Sequence, residues 1–346
     1  MKKSVAVFII FLFLGGALFS QDLRPIGRDL SAFFEGIGKE SIPYVQQNSL
    51  AGDGIGRAFL GEDSRFFFSF SLGVILSPGI LTFIDEENSN FELLNVYGLV
   101  DQMLSLAGEQ VSNIYTSLQS RFFFPNTRLA LGLRLPLGIE IIGMFSIFPQ
   151  AITSAIINIA GVGDVVGGVE LSRMNAGGRI RKVLIQDVGG YPAISIGAGY
   201  QYSNFHAGFT LPEFKQEFAG SGYTLEMSGK ITLDTNLHAA GLDFSLSKKL
   251  LIFYPFITIG SWYQWATYSG KIEPFDACFV DSSGKTIVSA EEQGIKPGSD
   301  LAINDLSVLL EGGVEIALGK FNIVPNASFN LVTKSFNLGL SLRAQF

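Results

Sequence analysis

Along most of this chain apolar and polar residues alternate one for one. In the last stretch, Phe336, Leu338, Leu340, Leu342, Ala344 and Phe346 alternate with Asn337, Gly339, Ser341, Arg343 and Gln345. Successive side chains of a strand point to opposite faces, so this spacing predicts a strand with one apolar and one polar face. The same period runs through Phe66–Val74, Leu129–Leu135, Ile194–Tyr202, Tyr223–Asp234, Leu242–Ser247, Leu306–Leu318 and Phe321–Leu331, with weaker copies near 50–60, 138–147, 165–174 and 179–187. Segments of about ten residues with this pattern, about a dozen in all, are the mark of a membrane barrel. The pattern predicts an all-β fold: a transmembrane, up-and-down antiparallel β-barrel of about 12–14 strands, apolar face to lipid and polar face to the lumen. An even strand count puts both chain ends on the periplasmic side. Gly319-Lys320 is then a periplasmic turn, and Thr333-Lys334 faces outside.

Four segments break the alternation. Leu30, Phe33, Phe34 and Ile37 have helical spacing and Pro43 closes the pattern, so residues 21–49 are expected to form a short helical plug or hatch ahead of a barrel at 50–346. The bland alternative is a tail tucked under the barrel. Phe91–Leu118 repeats apolar residues at three and four, which predicts an amphipathic helix inserted at 90–119. Such a stripe either receives a greasy ligand or covers a barrel mouth, and the second reading weighs more. Ile141–Gly163 is uncharged and long enough to span a bilayer as a helix. Pro149, Gln150, Ser154 and Asn158 argue instead for a strand to Phe148 and a short apolar helix after it. Gly270–Asn304, with Pro274, Gly284, Pro297 and Gly298, reads as a long outer loop. Aromatics at Phe122–Phe124, Tyr254, Trp262, Tyr263, Trp265 and Tyr268 are expected at the membrane border.

The start of the chain adds a location. Lys2 and Lys3 precede an uncharged apolar run, Val5–Phe19, and small Ser20 precedes Gln21, so residues 1–20 read as a secretory signal peptide. With the barrel pattern, this places the protein in the outer membrane of a two-membrane bacterium, in contact with its lipid. Losing Lys2 and Lys3 and no acid leaves 22 − 31 = −9 on the mature chain, a balance that argues against nucleic acid as a partner. Glycine (40 residues) suits crowded lumen positions, and phenylalanine (31 residues) suits the lipid face. Cys278 is the one cysteine, so neither an internal disulfide nor a thiolate metal cluster is expected. The two histidines, His206 and His238, stand apart in sequence. No spacing assigns a catalytic residue, a metal ligand or a cofactor, and no enzyme is expected. Arg128, Arg134, Asp243, Glu311 and Glu315 fall on polar strand faces and are candidate lumen residues, with ion pairs that fill the interior favoured over ligand binding.

Two stretches resemble known sequences. The ending, through Leu338, Leu340, Leu342 and Phe346, resembles the C-terminal signal read by the barrel assembly machinery, which it implies as a partner. Gly54–Glu62 reads GIGRAFLGE and is similar to the hatch sequence of the outer-membrane long-chain fatty-acid transporter family. That resemblance points to Gly54, Gly56, Arg57 and Glu62 as hatch residues. It implies a plugged barrel moving small hydrophobic molecules through a lateral opening. The chain departs from the family where Asp63 and Ser64 run straight into Phe66–Val74. Two functions stand: a channel for small hydrophobic molecules, and a structural or adhesive surface barrel presenting Gly270–Asn304.

Overall fold

The computed structural model describes residues 22–50, 56–58, 64–78, 82, 121–148, 170–218 and 222–346. The signal-peptide reading, the helix expected at 90–119, the apolar run beyond Phe148, Gly54, Glu62 and the side chains of Phe122–Phe124 lie outside these residues. One helix, α1 (Arg24–Leu50), precedes strands β1 (Phe66–Pro78), β2 (Arg121–Leu135), β3 (Ile139–Phe148), β4 (Glu170–Ile185), β5 (Ala193–Phe218) and β6 (Tyr223–Ser247). β7 (Phe253–Asp281), β8 (Thr286–Ser289), β9 (Gly298–Leu318), β10 (Phe321–Asn330) and β11 (Phe336–Gln345) complete the chain.

Every neighbouring pair is antiparallel, and the sheet closes on itself as a ring of ten strands. β8 is not in the ring; it extends a hairpin from the top of β7. The closing seam pairs β1 with β11 from Phe67↔Gln345 to Leu76↔Phe336, and Phe66 N–H donates to the Phe346 carbonyl. No sheet edge is left in the membrane zone, as a wall in hydrocarbon requires.

The count of ten corrects the expected 12–14. A bilayer is crossed by about 9–11 tilted residues, so an alternating pattern counted in spans of that length predicts more strands than the chain forms. β5, β6, β7 and β9 are 26, 25, 29 and 21 residues long, well beyond that need. Tyr223–Asp234 and Leu242–Ser247 are therefore two parts of β6, and the described parts of 165–174 and 179–187 fall on one strand, β4 (Glu170–Ile185). Residues 56–58 are irregular rather than strand. Gly270–Asn304 is not a loop: β7 continues to Asp281, and β9 begins at Gly298 and pairs with Lys271. Cys278 sits in this wall, half-buried, where burial and the nearby Glu226 and Asp276 push its thiol pKa up.

The outer surface explains the alternation. Phe68, Phe70, Leu72, Leu131, Ile180, Ile196, Phe244, Ile257 and Leu340 point outward and are exposed, as lipid-facing residues must be. Leu338, Leu342 and Phe346 of the terminal strand join this belt. On β5–β7 the belt ends at Tyr200, Tyr263 and Trp265, where His238 stacks on Trp265 at 5.5 Å and lies 2.5 Å from the Tyr200 hydroxyl. Above them the outward face turns polar. Tyr202 donates to Asn236 at 3.0 Å, and His206 Nδ1 lies 2.7 Å from Asp234. Lys230 lies 2.9 Å from Glu170 and holds that carboxyl below the usual carboxylate range. The switch from aliphatic through aromatic to charged marks the membrane border. Trp262 and Tyr268, expected at that border, are instead inside the barrel, one register step from Tyr263 and Thr267, and Tyr254 lies under the Arg57 guanidinium.

The helix does not end at Pro43 as expected: it starts at Arg24 and passes through Pro43 to Leu50. At 27 residues it is about 40 Å long, from a rise of 1.5 Å per residue. Leu23, Ile26 and Phe34 pack among Leu225, Ile272, Phe279 and Val288 near the top of the tall wall. Ile42 and Val45 meet Leu237, Ala266 and Tyr268 lower down, and Leu50 meets Ala239, Trp262 and Leu309. Arg57 and Ala58 then lie near the short-turn end, where Ala58 N–H donates to Ser247 Oγ at 3.0 Å. α1 therefore runs down the inside of the barrel. Its first turn and Phe346 lie at opposite ends of the barrel.

Glycines allow this fit. A Cβ on Gly38 would meet the Tyr268 ring at 2.6 Å, so the helix touches the wall there by its backbone. At Gly27 a built Cβ lies 3.9 Å from Ile295 Cβ, inside the 3.5–4.5 Å window of a disulfide. In a Cys278→Ser background, Gly27→Cys with Ile295→Cys should oxidise to one intramolecular disulfide in the folded barrel, read by mass spectrometry of tryptic peptides. Failure to cross-link while the barrel is folded would place the helix elsewhere.

Candidate functional site

The lumen holds the sequence's charged candidates, and it is built from the polar phase of the strands. Of its buried charged residues, Arg57, Arg128, Arg173, Arg179, Arg181 and Arg343 are cationic, while Asp29 of α1 and Glu140, Asp243, Glu311 and Glu315 are anionic. At the short-turn end, Glu315 is the hub. Its Oε1 lies 2.8 Å from Arg57 Nε, its Oε2 pairs with Arg343, and Arg57 Nη2 donates to Gln345 at 2.7 Å. Arg181 joins the layer by donating to Glu140 at 2.6 Å and to the Arg57 carbonyl at 3.0 Å. Gly56 has φ 65°, and a side chain there would meet Glu315 at 3.0 Å, so glycine brings the hatch backbone down onto this carboxylate.

A second layer lies at the C-terminal end of α1. Arg128 Nη2 donates to the carbonyls of Asn48 at 3.1 Å and Ser49 at 2.8 Å, and Arg173 bonds the Asn48 side chain. The last carbonyls of a helix lack intrahelical partners and carry roughly half a negative charge. The helix end thus helps balance a wall with more arginines than carboxylates. Between the two layers Arg179 lies 3.3 Å from Asp243 and 5.7 Å from the centre of the Trp262 ring. The crevice between Ser71, Asn126, Asn326 and Asn337 has a water-accessible volume of about 0 Å³.

The sequence candidates are thus drawn together in part. Arg128, Asp243, Glu311 and Glu315 face inward and are buried. Arg134 is half-buried at the base of β2, opposite Glu140. Of the hatch residues, Gly56 and Arg57 reach the lumen. Arg173, Arg179, Arg181, Arg343 and Glu140 are buried lumen charges beyond the sequence candidates. Strand parity held the signal for them: Arg343 was already on the polar side of the final strand. Among the described residues no group of His, Cys, Asp and Glu could hold a metal ion.

A different feature stands at the long-connection end. A cavity of about 850 Å³ opens between α1 and the start of β9, lined by Arg24, Arg28, Glu35, Ile295, Lys296 and Ser299. Beside it, β9 rises past the end of β10, whose last pairing is Asn330↔Leu309. The Val308 carbonyl accepts from Leu331 N–H on that side, so Asp300, Ala302 and Asn304 turn their backbone groups the same way. Among the described residues these groups form an open strand edge, and Asp300 and Asp305 supply the charges that keep such edges from indiscriminate pairing.

No family model matches the chain, and no curated protein matches it. Solved structures that resemble it include the outer membrane protease OmpT from Escherichia coli, at 10% identity over 82% of this chain and 97% of that chain, TM-score 0.37. The translocator domain of the autotransporter NalP from Neisseria meningitidis matches at 7% identity over 92% and 99%, TM-score 0.38. A Pseudomonas aeruginosa FadL homologue matches at 9% identity over 82% and 90%, TM-score 0.28. Scores this low carry no argument about activity. The closed ring, its lipid-facing belt and its polar lumen define the class: this is a transmembrane β-barrel of the outer-membrane type.

The Glu315 hub gives a direct test. Glu315→Gln leaves Arg57 and Arg343 buried without their shared counter-charge. Breaking one side of a buried pair costs about 3–5 kcal/mol. We expect a loss of that size in urea unfolding, followed by heat-modifiable gel mobility. Asp234→Asn, in an exposed pair, should leave the midpoint nearly unmoved.

Proposed function

We propose that this protein is a sealed outer-membrane barrel that works at the cell surface, using the projecting β5–β9 wall as a binding face. The observation that carries this reading is the filled lumen. From mouth to base it is occupied by α1 and two layers of arginine contacts, while four strands extend past the membrane border. A pore for ions or polar solutes would need a continuous open path, and a pore for hydrophobic molecules would need an apolar track. Within the membrane zone the described lumen is lined mainly by arginine, carboxylate, asparagine and serine, and the apolar inner wall above that zone is covered by α1. The open β9 edge and its adjoining cavity suit an extended polypeptide, which binds by adding a strand to an exposed sheet edge. The surface role is adhesive or structural, with no chemical step.

The transport reading, a passage for small hydrophobic molecules, requires α1 to leave the lumen or the wall to open. Planar-bilayer recording and fatty-acid binding separate the two. The sealed reading predicts no conductance steps and no saturable binding by the folded protein. It also predicts that cells displaying the barrel are retained on a protein-coated surface, with retention reduced by Ala302→Pro at the strand edge. Regular conductance steps that vanish when Gly27→Cys is cross-linked to Ile295→Cys, or stoichiometric fatty-acid binding, would overturn it in favour of transport.

A further inference from the structure

We infer that the barrel carries its own amino-terminal segment through the membrane and presents it on the outer surface. The argument rests on chain direction and goes beyond the surface reading, which concerns the wall.

Four connections lie at one end of the ring: residues 136–138, 186–192, 248–252 and 319–320. At the other end lie the three longest, 79–120, 149–169 and 282–297, together with two short ones, 219–222 and 331–335. Outer-membrane barrels keep short turns in the periplasm and long loops outside. The polar upper halves of β5–β7 and the border at Tyr200, Tyr263 and Trp265 give the same assignment, because the wall continues beyond the membrane only at that end. Phe346 and the start of β1 are then periplasmic.

The chain before β1 can be followed through this frame. Leu23 N–H donates to Gln293 at 2.7 Å, and Gly298 N–H donates to Ser31 Oγ at 3.2 Å, both at the outer mouth. Gln264 donates to the Gln46 carbonyl at 3.4 Å near the middle, and Arg128 to Ser49. Arg57 and Ala58 reach Glu315 and Ser247 at the periplasmic base. The order of contacts down the lumen is the order of residues along the chain. A continuous polypeptide that enters the wall at the base and fills the lumen from top to base must have its earlier residues at the top. Asp22 and Arg24, at the start of α1, therefore lie at the outer mouth beside the 850 Å³ cavity, where the Arg24 side chain is 74% exposed.

Single cysteines in a Cys278→Ser background test this on intact cells with a membrane-impermeant maleimide. Arg24→Cys at the helix start and Lys296→Cys at the outer mouth should label in intact cells. Lys320→Cys in a short turn should label only after permeabilisation. Heat-modifiable mobility checks that each variant has folded. As a second measurement, a short hydrophilic epitope placed directly before Asp22 should bind antibody on intact cells. If Lys296→Cys labels in intact cells while Arg24→Cys and the epitope need permeabilisation, the inference is overturned and the surface reading of the wall survives. If Lys320→Cys labels in intact cells and Lys296→Cys does not, the assignment of ends is reversed and both readings fall.

Discussion

Everything in this molecule follows from the closure of β1 on β11. In hydrocarbon a strand has no water to satisfy its outer N–H and C=O groups, so an open sheet is not viable there. Residues nearly the whole chain apart, Phe67 and Gln345, must become register partners. Closure then fixes the sides. Side chains alternate along each strand, so the apolar phase meets lipid and the polar phase is confined within a ring too narrow to hydrate it freely. The lumen has to be filled by the protein itself.

Two kinds of filling share that task, and they divide by height. Within the membrane zone the inner wall carries arginines and carboxylates that pair with one another and with the hatch. In the tall zone above it the inner wall is apolar, with Leu225, Ile231, Ile272 and Phe279 facing α1. Burying an apolar side chain there is worth about 1.5–3 kcal/mol, which orders the helix against the wall. Packing of Leu23, Ile26, Phe34 and Ile42 fixes the upper helix, and charge fixes its lower end. This explains why α1 continues through Pro43. Proline removes one hydrogen bond from a helix and strains its backbone, but Ile42 and Val45 remain packed on Leu237 and Ala266 on either side of it.

The membrane part of this fold was legible in the sequence because lipid imposes a strict period of two. Phe66–Val74 and Phe336–Phe346 read correctly residue by residue, and Arg128, Asp243, Glu311 and Glu315 were placed inside by parity alone. Legibility failed where the lipid constraint stops. Above the border, water can solvate either face, so Gly270–Asn304 loses the clean alternation and resembles a loop although it is mostly strand. Residue type alone points Trp262 and Tyr268 to the border, but both sit on the inward phase of β7 and are buried. Glu315 and its partners Arg57 and Arg343 lie on three distant segments of chain, and no local pattern encodes that meeting. The direction of α1 was invisible for a related reason: helical periodicity gives a buried face, and says nothing of which end is up.

The contacts of the hatch also bear on how such a molecule comes together. α1 lies inside a ring whose last seam joins β1 to β11, and the base of the hatch is held by that seam. Arg57 bonds Gln345 and shares Glu315 with Arg343, and both Gln345 and Arg343 belong to the final strand. Until β11 is in register with β1, Arg57 lacks the Gln345 contact and the buried charge layer is incomplete. A buried arginine without its partners is costly, so the hatch is stable only in the closed ring. Conversely, the same layer rewards one register of the seam: a slip of one residue would turn Arg343 and Gln345 toward lipid and Leu342 toward Glu315. The polar plug therefore does more than fill space. It couples the position of the N-terminal segment to the correct closure of the wall, so that a barrel with its seam in register is also one with its lumen occupied.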